Sequence, residues 1–279
     1  MKHVFVSLAL AMMASTSFAY DAQIDTGFSY FDRDDNITDA EGQFDLKGTF
    51  YFTPVMAKNV PLNEAAFLGH HSNASLSYRY NYWDSKTWSD GLGNNISYES
   101  NANHIGAGIE YFVNQIYLNG QVGFGQAEDE TTIQSVLGSR KYKEDYDATT
   151  YRALVGYFPL PNLLIATGID GYQGDEDNDD NRFALAAKYF APVGQGQFVN
   201  FEAEGAWGDT DNISLAADYY FDPAFSFGLA YNIEDDGDED LDFFSVRSKY
   251  FLNPNFALGG AVGFGDEVQA FNVNATLRF

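Results

Sequence analysis

Eight cations and eight anions of this chain stand inside stretches where polar and apolar residues alternate. They are Lys47, Arg79, Arg152, Arg182, Lys188, Arg247, Lys249 and Arg278, with Asp21, Asp25, Asp45, Glu110, Asp170, Glu202, Glu204 and Asp218. Rows of opposite charge facing each other across water create a transverse field. Such a field aligns polar solutes, disfavours apolar ones and sets selectivity where it lines a passage. As exposed cross-strand pairs the same residues would only hold a sheet together, and such pairs are worth little. Catalytic chemistry has poorer material. With no cysteine there is no thiol nucleophile, no disulfide framework and no Cys-type zinc site. Of four histidines, only His104 falls in an alternating stretch. Ser75, Ser77 or Asn81 would be its partners in a nucleophile–base arrangement. By parity His104 lies on the polar face, away from any apolar surface where a lipid substrate would sit.

Two acidic runs, 175–180 and 234–240, could hold Ca²⁺ or Mg²⁺ loosely through carboxylates. Neither has the spaced ligands and central glycine of an EF-hand loop. A solvated acidic loop, or one bridged by divalent cations to lipopolysaccharide, is the better reading, and no cofactor is expected. A formal charge of −25 makes the chain a poor nucleic-acid binder, because it repels phosphates. An aromatic content of 17% argues against disorder.

The elements that must position these charges read with period two. Ile24, Thr26, Phe28 and Tyr30 alternate with Asp25, Gly27 and Ser29, and Phe44, Leu46, Gly48, Phe50 and Phe52 with Asp45, Lys47, Thr49 and Tyr51. The same pattern runs through 75–82, 213–221, 225–233 and 271–279. Side chains alternate across a strand, so each segment has one apolar and one polar face. All but one of the charges within these segments fall on the polar face, Asp242 being the exception. A face of Phe, Tyr, Leu, Val, Ala and Gly without charge is what contact with lipid demands, and a closed sheet leaves no unpaired edge there.

The pair Tyr-Phe recurs at 51–52, 111–112, 157–158, 189–190, 220–221 and 250–251, each time just before turn residues. The seven prolines, at 54, 61, 159, 161, 192, 223 and 254, cluster at these turns, as strands require. Aromatic rings at that level would form a girdle at one membrane interface. The opposite ends are joined by seven connections, which hold 29 of the 40 acidic residues. Six tight turns and seven acidic loops predict an all-β, antiparallel, up-and-down transmembrane barrel of about 14 strands with both termini periplasmic. The longest acidic connection, 126–147, carries Arg140, Lys141 and Lys143. It is expected either to fold inward as a constriction or to stay outside. On the turn side, 54–72 is the one long connection. A plain ordered turn is expected there, with a short helix at Asn63–Leu68 as the alternative.

Residues 1–19 read as a signal peptide: Lys2 and His3, an apolar run from Val4 to Ala14, then Ser17-Phe18-Ala19 as a small-x-small cleavage site. The barrel domain is then 20–279. Export signal, alternating strands, Tyr-Phe-x-Pro turns and terminal Phe279 resemble the Gram-negative outer-membrane porins. The segment Pro61-Leu62-Asn63-Glu64-Ala65-Ala66-Phe67-Leu68 is similar to one in the general bacterial porins of gammaproteobacteria. The count of fourteen departs from the sixteen of trimeric general porins, and the third loop lacks their Pro-Glu-Phe-Gly-Gly-type motif. The resemblance implies an outer-membrane location, contact with lipid and lipopolysaccharide, assembly as a homotrimer or a monomer, and passive diffusion of small hydrophilic solutes. The acidic loops would favour cations within about 8–10 Å at physiological salt. A barrel enzyme (phospholipase- or protease-like) and a non-conducting structural or adhesive barrel are the rival readings.

Overall fold

Alternating segments pair only if each strand finds a partner on both edges, and in this chain the ladder closes on itself. The computed structural model describes residues 19–57, 59–175, 179–235 and 240–279. Within them run β1 (Ala19–Arg33), β2 (Thr38–Met56), β3 (Asn73–Ser85), β4 (Trp88–Ser89) and β5 (Asn95–Val113). They are followed by β6 (Ile116–Ser135), β7 (Gly138–Leu160), β8 (Leu163–Gly174), β9 (Asp179–Pro192) and β10 (Phe198–Trp207). The remainder are β11 (Asp211–Tyr220), β12 (Phe225–Asp235), β13 (Asp240–Asn253), β14 (Phe256–Gly265) and β15 (Val268–Arg278). Fourteen long strands pair antiparallel with their chain neighbours. β1 bonds β15 and β3 bonds β5, while the two-residue β4 lies outside the ring against β5. The expected leader lies outside the described residues except Ala19, which opens β1. Among the described residues no helix is long and apolar enough to cross a membrane.

The distribution of side chains is the reverse of a soluble core. Phe124, Leu76 and Val273 are more than 60% exposed on the outer wall, while Arg278 and Asp218 are buried inside it. Asp242, the one charge on the outer parity, accepts the Tyr231 hydroxyl at 2.8 Å. The Tyr-Phe pairs divide their rings. Tyr157 is 48% exposed and Phe158 1%, and Tyr51, Phe190, Tyr220 and Phe251 likewise turn inward while their neighbours stay outside. Only one ring of each pair is therefore placed for an outer girdle, because adjacent residues on a strand point to opposite faces. The inward rings build the apolar floor. Pro54 and Pro159 fall in the irregular last turn-side residues of β2 and β7, where the ladder register shifts.

Two connections differ from expectation. Residues 126–147 form no loop: they continue β6 and β7 as a paired hairpin with only Val136 and Leu137 at its tip. β5 follows β6 up to Asn95, but β8 pairs with β7 only from Ala148 onward. The extension therefore stands above most of the ring with one free edge. Lys143 sits 2.5 Å from Glu128, and Lys141 bonds Glu130. Hydrogen bonding from Lys141 holds the Glu130 carboxyl below its ordinary range. Arg140 is exposed beside Ile133. None of the three cations lines the main cavity.

The second is the segment between β2 and β3. The alternative reading is the one found: a 3-10 turn at Leu62–Glu64 leads into a one-turn helix α1 (Ala65–Leu68), closed by Gly69 N–H to Ala65 O at 3.0 Å. It crosses the turn end of the barrel. Leu62 N–H reaches Pro223 O in the β11–β12 turn at 2.8 Å, and His70 Nε2 lies 3.2 Å from Pro161 O in the β7–β8 turn. Two small apolar cores hold it. Phe67 packs on Tyr117, Leu154, Phe158 and Leu164, and Ala65 on Tyr20, Tyr51 and Val55.

Candidate functional site in the barrel interior

The wall charges meet above this floor around a cavity of about 780 Å³. Asp25, Lys47, Glu110, Arg152, Lys188, Glu202, Glu204, Asp218, Arg247 and Lys249 line it, together with Asn63, Glu64, Phe67 and His71 of the crossing segment. Arg182 and Asp170 lie toward the loop end, in a smaller recess shared with Arg152 and Glu204. Asp45 and Arg79 pair at 2.8 Å outside the main cavity. Arg278 is buried beneath it, its guanidinium 4.4 Å from the centre of the Tyr20 ring and 4.5 Å from that of Phe251. Asp21 is not on the cavity wall. A bulge between Tyr20 and Ala22 breaks the alternation, so Tyr20 turns inward against Tyr51 while Asp21 is exposed.

From β7 to β13 the charges neutralise one another. Arg152 reaches Glu204 at 2.8 Å and Asp170 at 3.4 Å, and Arg182 reaches Asp170 at 2.6 Å. Lys188 lies between Glu202 at 2.7 Å and Glu64 at 2.8 Å. Glu64 is almost fully buried and also accepts the Tyr220 hydroxyl at 2.6 Å and the Asn63 amide at 3.1 Å. This carboxylate, which strand parity could not find, ties the crossing segment to β9 and β11. The only sequence signal is a single charge set inside the apolar run Pro61–Leu68.

Arg247 forks onto Asp218 at 2.6 and 2.9 Å although β12 lies between their strands. Asp218, Gly228 and Arg247 occupy one level of the ladder, and a Cβ on Gly228 would come within 2.0 Å of Asp218 Oδ1. The Gly228→Val protein is therefore expected to lose the fork and about 1–3 kcal/mol of stability from overpacking, read from urea unfolding of the folded barrel. Gly123 plays the same part for His104, whose Nε2 meets Thr150 Oγ1 at 3.0 Å across β6. Among the described residues no serine hydrogen-bonds His104, and no cluster of His, Cys, Asp or Glu could hold a metal. The acidic runs at 175–180 and 234–240 lie partly outside the described residues.

Across the barrel, on β1, β2, β13 and β15, the balance differs. Among the described residues Lys47 has no hydrogen-bond or ion-pair partner, and Lys249 comes no closer than 4.0 Å to a carboxylate, Asp25. Around them the wall is built of amides and small residues: Asn272, Asn274, Gly260 and Ala261. The arrangement can hold water, orient dipoles and present opposite charges to a solute.

Comparison with known proteins agrees with this geometry. The model of the family described as "Putative general bacterial porin" matches residues 1–279. No curated protein sequence matches the chain. The outer membrane protein Omp33 of Acinetobacter baumannii has the same fold at a TM-score of 0.64 and 20% identity, over 94% of this chain and 99% of that one. The toluene transporter TbuX of Ralstonia pickettii superposes with a TM-score of 0.56 at 7% identity, over 96% and 93% of the two chains. The chain belongs to the general bacterial porin family.

Proposed function

We propose that this porin spans the outer membrane with its turn end and both termini in the periplasm and its acidic hairpin ends outside. Its interior is a water-filled path for passive diffusion of small hydrophilic solutes. The observation that carries this reading is the inversion of the wall: a mainly apolar exterior, with Asp21 and Asp242 the charges turned to it, around a cavity lined by charges of both signs. In lipid the exterior is the favourable face, and ring closure satisfies the strand edges within the ring. The loop ends carry most of the carboxylates, so the mouth concentrates cations and the channel prefers them weakly. The same carboxylates would bridge to lipopolysaccharide through divalent ions. The crossing segment 59–72 lies across the exit, so passage past it is the controlled step.

Liposome swelling with sugars and amino acids of graded size tests the pore, since a non-conducting barrel would give no swelling. Membrane burial of the outer wall gives a separate expectation. Leu229→Arg, at the middle of β12 on the outer face, should cost about 2–4 kcal/mol in refolding into bilayers. Ala230→Arg, one residue on and facing the lumen, should fold and narrow the channel instead. Equal penalties at the two positions would place both faces in the same solvent and contradict the membrane reading.

A further inference from the structure

We infer that Lys47 and Lys249 form a subsite for a small oxyanion, a carboxylate or phosphate group carried by a solute, an assignment that rests on the interior being a solute path. An ammonium group has three donors and no acceptor, and in a packed wall it is ordinarily spent on a carboxylate. Lys188 follows that rule with Glu64 and Glu202, as do Arg152, Arg182 and Arg247 with theirs. Among the described residues Lys47 has no such partner, and Lys249 has only the long contact to Asp25 at 4.0 Å and the Phe251 ring 5.8 Å away, although both line the main cavity.

Both flank one carboxylate. Asp25 stands directly across the β1–β2 ladder from Lys47, and Lys249 approaches it from β13. Yet the Asp25 oxygens are already engaged: Thr276 Oγ1 donates to Oδ1 at 2.6 Å and Gln23 Nε2 to Oδ2 at 2.7 Å. The other carboxylates of the cavity are held elsewhere: Glu202 and Glu204 by Lys188 and Arg152, Asp218 by Arg247, and Glu110 by Asn73 and Tyr117. One arc of the wall thus keeps two ammoniums against one carboxylate. Beside them Asn274 and Asn272 add side-chain amides, and Gly260 and Ala261 leave the wall low. An acidic mouth with a cationic inner station favours solutes that carry both charges over simple cations.

The test uses the full-length protein in planar bilayers, with acetate and inorganic phosphate added in turn to a potassium chloride bath. The wild type should show saturable reduction of single-channel current by at least one of them, and the stronger blocker names the group preferred. Lys47→Gln/Lys249→Gln should weaken that block at least tenfold, while Lys86→Gln in the β3–β4 connection should leave it unchanged. Lys47→Gln alone, at a lysine with no partner to lose, keeps the test standing if the double variant does not fold. Block that survives both substitutions, or no block in a conducting wild type, overturns the subsite. A wild type that does not conduct would overturn the pore reading instead. Calorimetric titration of the protein in detergent with the same two anions then decides the subsite by itself: heat lost in the double variant supports it, and no binding overturns it.

Discussion

Replacing residues 59–71 by a short glycine–serine turn should raise single-channel conductance several-fold without loss of the barrel. The segment leaves β2, reaches the β7–β8 and β11–β12 turns, and places Glu64, Phe67 and His71 on the cavity floor. His70 lies on Phe158 with ring centres 4.2 Å apart, and the Lys188 ammonium sits 4.8 Å from the centre of the Phe67 ring. Apolar residues at a narrow place also gate by excluding water. None of the fourteen long strands draws a ladder partner from this segment, so removing it leaves the ring of hydrogen bonds intact. Glu64→Gln keeps the segment but weakens its tie to Lys188, and should give brief openings rather than a steady increase. Conductance unchanged by the deletion would mean that the segment does not obstruct the path.

Lys188→Met should be the most damaging single substitution on the wall. It strands Glu64, buried with its carboxylate toward β9, and leaves Glu202 with only the Asn200 amide. Removing one member of a buried ion pair costs about 3–5 kcal/mol, because the remaining charge is uncompensated. The double variant Glu64→Gln/Lys188→Met should recover much of that loss, since the orphaned charge is gone. Urea unfolding of the wild type, of Glu64→Gln and Lys188→Met singly, and of the double variant gives the coupling directly. Additive losses in the double variant would show that the two residues do not act as a pair.

The strands were legible because each pays a visible toll to two solvents, and alternation over 24–30, 44–52 or 271–279 admits no helix. Parity also specifies the side of the wall on which each charge falls. It fails at Asp21, where a bulge adds one residue and reverses the faces, a change with no compositional signal. The hairpin at 126–147 was hidden for a different reason. Its two strands carry Glu, Lys and Thr in place of an apolar alternation, and such a composition reads as a loop. Charge partners were the least legible part. Glu64 finds Tyr220 from 156 residues away, and Arg247 finds Asp218 only because Gly228 is bare. The crossing segment reads as a plain ordered turn, with the short helix only as the alternative, and the carboxylate that fastens it gives no sign of its partners.

Water and ions are expected to pass through this interior, and single-channel recording of the refolded protein in a planar bilayer under a potassium chloride gradient reads that passage. A stable open conductance is expected, with a reversal potential of the sign set by cation preference, diminishing as salt screens the acidic mouth. A barrel that inserts correctly and carries no current would rule out a diffusion path through the interior.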